Sequence, residues 1–128
     1  MSMRETTQRQ RRIAEQVRQL VAEAFYQHDF SDVLAGEQLT VSSTEVSRDM
    51  KLAKVFYTLL SGDEATPQQI KAFTKSLNEQ AHVFNHYLAT NMHTKYTPKI
   101  RFFYDQSFEE ASRVDSLLSR LAKNADND

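Results

Sequence analysis

Three histidines, His82, His86 and His93, have the spacing in this 128-residue chain that most invites chemistry. On a continuous helix His82 and His86 stand one turn apart, and His93 falls near the same face two turns further on. Histidines at i and i+4 can hold a metal ion, but no carboxylate completes the set at a convincing spacing and nothing resembles HExxH. Three readings compete: a metal site, a solvated polar face, and a contact surface for a partner. The same stripe begins upstream with Lys71, Lys75 and Asn78, includes Asn85, and continues toward Lys95. From Ile70 to Tyr104 only Glu79 brings in an acid, so the stripe offers cations and hydrogen-bond donors suited to phosphate.

Other candidate clusters have plainer explanations. Ser47-Arg48-Asp49 has no histidine nearby in sequence and reads as a turn. Glu109, Glu110 and Asp115 could pair for acid–base work, yet Glu110 closes a capping box opened by Ser107, and Asp115 sits off the apolar stripe. Alternation sends at least one face of Phe102-Phe103-Tyr104 into the core, leaving Phe103 as the ring free to stack on a base. The two glycines, Gly36 and Gly62, cannot build a glycine-rich phosphate loop, and without cysteine there is no thiol or disulfide chemistry. Nothing reads as an enzyme, and no metal, cofactor or small-molecule substrate is expected.

Net charge is −1, but the charge is unevenly placed. Residues 1–20 carry five Arg against two Glu (+3), and residues 21–67 carry three basic and eight acidic groups (−5). Residues 68–104 carry five basic groups against one acid (+4), with three of the four histidines, and residues 105–128 carry three against six (−3). Such segregation can put a basic face on a nearly neutral protein. No apolar run approaches the roughly 18 residues that a membrane span needs. The segment 1–6 has no apolar core of a secretory signal, so a cytoplasmic protein is expected.

The elements that would position the stripe follow from periodicity. Residues 1–10 are polar and expected to be a flexible N-terminus. From Arg11, apolar Ile13, Val17, Leu20, Val21, Ala24 and Phe25 mark an amphipathic helix ending near Gln27 or His28. A connector over 29–38 follows, and alternating runs over 38–46 and 52–60 predict an antiparallel hairpin. Thr66-Pro67-Gln68-Gln69 is a capping box with proline at N1. It opens a helical stretch over 67–97 whose apolar face is Ile70, Phe73, Leu77, Ala81, Phe84 and Leu88. That length is well over the usual 11–12 residues, so the stretch is either bent or two helices in series. Pro98 ends it, residues 99–104 alternate as a third strand, and Ser107 caps a last helix over 107–121 before a disordered tail at 122–128. The fold class is α+β, with a three-stranded sheet and helices packed on one face.

Thr40-Val41-Ser42-Ser43-Thr44-Glu45-Val46-Ser47-Arg48-Asp49-Met50 and Ala53-Lys54-Val55-Phe56-Tyr57 resemble the hairpin signature of the bacterial ribosome-binding factor A family. Pro98-Lys99-Ile100-Arg101-Phe102-Phe103-Tyr104-Asp105-Gln106-Ser107 resembles its last strand and turn, with weaker matches at Arg12-Ile13 and Ser116-Leu117-Leu118. The resemblance spans about residues 9–121. It implies a single type II KH-like domain over 11–121, ordered α-β-β-α-(kink)-α-β-α. It also implies a monomeric, non-enzymatic factor that binds the small (30S) ribosomal subunit and 16S rRNA during late maturation and processing of the precursor 5′ end. A KH-like module with another RNA target is the alternative. Where the family tends to have an Ala-x-Gly kink, this chain reads Gln80-Ala81-His82, and a position commonly arginine is Asn85. The RNA-binding residues expected on stripe and resemblance together are Lys71, Lys75, His82, Asn85, His86, Lys95, Lys99 and Arg101.

Overall fold

The computed structural model describes residues 6–62 and 64–106. The helix expected over 107–121 and the tail at 122–128 lie outside the described residues. Helix α1 spans Gln8–Gln27 and begins three residues before Arg11, because Thr7 and Gln10 form a reciprocal capping box. Residues 8–10 are therefore helical rather than part of a flexible leader. Gln10 is buried, and its Nε2 donates to the Val46 carbonyl at 3.0 Å, tying the first turn of α1 to the hairpin. One turn of helix, α2 (Ser31–Leu34), interrupts the expected connector and ends on two left-handed residues, Ala35 and Gly36.

Strands β1 (Leu39–Val46) and β2 (Leu52–Leu59) form the antiparallel hairpin. A bulge at Ser42 shifts the register between Val41 and Ser43. Without it, Leu39 and Val41 on the inner face would bring Ser43 and Glu45 inward too; the extra residue turns Thr44 and Val46 to the core instead. Helices α3 (Pro67–Glu79) and α4 (Ala81–Asn91) then carry the chain across to β3 (Lys99–Tyr104), which lies parallel to β2. The strand order is β1-β2-β3.

The core lies between the sheet and the helices. Val17, Val21 and Ala24 of α1, Val55 and Tyr57 of β2, Leu77, Leu88 and Phe102 are fully buried. Phe84 is its hub: ring centroids of Phe25 and Phe30 lie 4.9 Å away and that of Phe102 5.0 Å away. The opposite sheet face carries Lys54, Phe56, Arg101 and Phe103, with the two phenylalanine rings 5.7 Å apart.

Helix α4 stops at Asn91, six residues short of the expected Thr97. Met92 is extended and buried, its N–H donating to the Leu88 carbonyl at 2.8 Å, and Pro98 is buried where β3 begins. Residues 93–98 thus form a loop anchored at both ends by apolar side chains. The apolar anchor at Met92 ends the helix before proline can. His93 and Lys95 consequently leave the helical stripe on which the three-histidine reading relied.

Candidate nucleic-acid interface

The long apolar stretch is two helices in series, broken at Gln80 (φ −96°, ψ 6°). Neither glycine nor proline causes the break. Across it Val83 N–H donates to the Gln80 carbonyl, an i→i−3 bond, so the Glu79 carbonyl loses its regular partner. His82 Nδ1 lies 3.2 Å from that carbonyl and supplies a donor when its proton is on Nδ1. In that tautomer His82 caps the helix junction.

Two asparagines fasten the helix pair to the outer edge of β3. Asn78 accepts from Phe102 N–H at 2.7 Å and donates to the Phe102 carbonyl at 3.1 Å. Asn85 accepts from Ile100 N–H at 2.8 Å. These side chains replace a fourth strand, and an edge that would otherwise offer unpaired amides is closed. Residues seven apart on a straight helix are separated by about 10.5 Å along its axis. The two strand residues they bond are only about 6.6 Å apart. The break at Gln80 falls between the asparagines, where the two spacings must be reconciled. Asn85 is thus committed to positioning β3.

This clamping leaves a groove of about 770 Å³ between α3 and the edge of β3. Lys71 and Lys75, one turn apart on α3, face Arg101 of β3 across it, with Ile70 and Phe103 among its apolar walls. Glu79 is the single acid among the described residues of the lining. Three cations, aromatic walls and an open mouth suit a phosphodiester strand, with phosphates on the cations and a base against Phe103. The Arg101 guanidinium lies 5.8 Å and the Lys54 ammonium 5.9 Å from the Phe103 ring centroid, both within cation–π range.

Of the eight residues expected to bind RNA, the structure gathers Lys71, Lys75 and Arg101 in this groove. His82 and His86 are exposed on the helix pair outside its lining, and Asn85 is half-buried against β3. Lys95 and Lys99 sit at the other end of β3, beside Arg48 and Lys51 of the hairpin turn. In the sequence Arg48 reads as part of a turn and Lys51 belongs to no pattern. Parallel pairing of β3 with β2, in which Lys99 N–H donates to the Lys51 carbonyl, is what brings them together. Among the described residues no group of three His, Asp or Glu could hold a metal ion, and no helix is long and apolar enough to cross a membrane.

A hairpin followed by an interrupted helix pair that delivers a parallel edge strand, with α1 on the same face, defines a type II KH-like domain. The family model for ribosome-binding factor A matches residues 9–118. Ribosome-binding factor A of Coxiella burnetii is 34% identical over 122 residues, covering 95% of this chain and 97% of that one. That of Methylobacterium nodulans is 35% identical over 113 residues, covering 88% and 80%. The solution structure of a ribosome-binding-factor-A-type protein of Thermotoga maritima matches with a TM-score of 0.61 at 25% identity, covering 81% of this chain and 93% of that one. The crystal structure of ribosome-binding factor A from Thermus thermophilus shares the fold, with a TM-score of 0.61 at 14% identity and coverage of 77% and 97%. The chain belongs to the ribosome-binding factor A family.

Proposed function

We propose that this protein is a cytoplasmic assembly factor that binds the small (30S) ribosomal subunit through 16S rRNA during late maturation and 5′-end processing, as a monomer and without catalysis. The observation that carries the reading is the convergence of Lys71, Lys75 and Arg101 on one groove beside β3. Family membership supplies the ribosome, and the groove supplies a means of holding RNA. Binding energy comes chiefly from released counterions at neutralised phosphates, with Phe103 offering a stacking surface. Such a factor acts by occupancy: it holds an rRNA segment while the particle around it matures.

The test is cosedimentation with purified small subunits at low salt. Lys71→Glu/Lys75→Glu puts two like charges where phosphate must approach and is expected to abolish association, while circular dichroism and the melting curve stay unchanged because both side chains are exposed. Unchanged cosedimentation of the double variant removes the groove from the binding mechanism.

A further inference from the structure

A second cavity, of about 810 Å³, opens at the other end of β3 between the start of α1, the β1–β2 turn and the α4–β3 loop. Its lining brings together Arg9, Arg48, Lys51, Lys95 and Lys99 from three separate stretches of chain. Asp49 is the one carboxylate there among the described residues, and it is occupied: it accepts from the Ser47 hydroxyl at 2.7 Å and from Lys51 N–H at 3.0 Å, holding the turn. Five cations against one committed carboxylate leave an excess of four positive charges around one concave surface, an arrangement relieved by an anion. Beside them Tyr96 is 74% exposed, with Lys95 Nζ 5.5 Å from its ring centroid. The loop presenting Tyr96 is fixed by buried Met92 and Pro98 and by the Thr94 hydroxyl, which donates to the Tyr96 carbonyl at 2.8 Å. The ring is therefore held out by a built loop. The two cavities are joined along β3, whose outer face carries Lys99, Arg101 and Phe103 at successive alternate positions, about 6.6 Å apart.

We propose that this cavity is a second binding site for single-stranded RNA, in which Arg48, Lys51 and Lys99 hold backbone phosphates and Tyr96 stacks a base. The strand continues along β3 into the α3 groove. An acidic protein segment would satisfy the charge, but it would have no use for an exposed ring or for the cationic, aromatic row leading to Phe103. The inference rests on the RNA-binding reading of the groove and extends it by a site of different composition.

Binding of a short fluorescein-labelled oligouridine, followed by anisotropy against salt, tests it in the full chain. Arg48→Gln/Lys51→Gln is expected to weaken binding about tenfold or more and to flatten the log–log salt slope by about 1.4, two single-strand phosphate contacts. Tyr96→Ala is expected to weaken binding about tenfold with the slope unchanged, as stacking requires. Unaltered affinity in both variants, with loss in Lys71→Glu/Lys75→Glu, overturns the second site and leaves the groove standing. Unaltered affinity in all three variants overturns both. Oligouridine binding that persists while subunit cosedimentation is lost identifies a protein contact and overturns the RNA assignment. Should a variant unfold, photocrosslinking of 4-thiouridine RNA to the unsubstituted chain decides: crosslinks at Tyr96 support the site, and crosslinks confined to α3 overturn it.

Discussion

Asn78 shows how one side chain can be read correctly by type and wrongly by role. In the sequence it belongs to a polar stripe and looks available to solvent or phosphate. In the fold its amide is spent twice on Phe102, 24 residues away, and that partner is invisible to any local pattern. Replacing it by alanine strips both a donor and an acceptor from a partly buried strand edge. Leaving such groups unpaired costs about 1–3 kcal/mol. Asn78→Ala should therefore lower the unfolding free energy by that amount, seen as a lower urea midpoint at constant m-value. A midpoint within error of the unsubstituted protein would show that water or neighbouring groups replace the amide. Gly62 makes the same point in reverse. It reads as turn punctuation, yet a β-carbon there would collide with the Tyr104 hydroxyl, so its smallness serves packing next to the groove.

Elements were legible wherever their signals were local. The capping box at Thr66, the apolar periods of α1 and α3, and the alternation of β2 and β3 all place their elements within a few residues. What could not be read were the features set by distant packing: the bulge at Ser42 and the early end of α4 at buried Met92. The break is different: the length of the stretch and the family resemblance place it near Gln80–Val83, and the structure has it at Gln80. That break has no glycine to announce it. Its stabilising groups are the two asparagine clamps and the His82 ring on the Glu79 carbonyl. His82 was expected to touch RNA, and its observed contact separates two outcomes. If it serves as a cap, His82→Ala should cost about 1 kcal/mol or less in stability and speed hydrogen exchange at Val83, while the salt slope of RNA binding stays fixed. A weaker RNA affinity with unaltered exchange would return His82 to the interface.

At the scale of the whole molecule, net charge is a poor guide and topology a good one. The sequence places +4 on residues 68–104 and +3 on residues 1–20, but it does not say that these blocks meet. The parallel crossover does that. It lays Lys99 beside Lys51, brings the loop bearing Lys95 to the start of α1, and sends Arg101 toward Lys71 and Lys75. A protein of net charge −1 thereby gains a cationic track that follows β3 from end to end. The number of phosphates on that track is measurable. Each phosphate neutralised on a single strand contributes about −0.7 to the slope of log affinity against log salt. Contacts from Lys71, Lys75 and Arg101 alone give a slope of about −2, whereas engagement of Arg48, Lys51 and Lys99 in the second cavity as well brings it to about −4.2. For oligonucleotides long enough to cover both cavities, affinity should then fall by about two and a half orders of magnitude between 50 and 200 mM salt, against about one order for the groove alone. Shortening the RNA until it reaches only one cavity should return the slope to the smaller value. A slope near −2 at every length would confine RNA to the α3 groove.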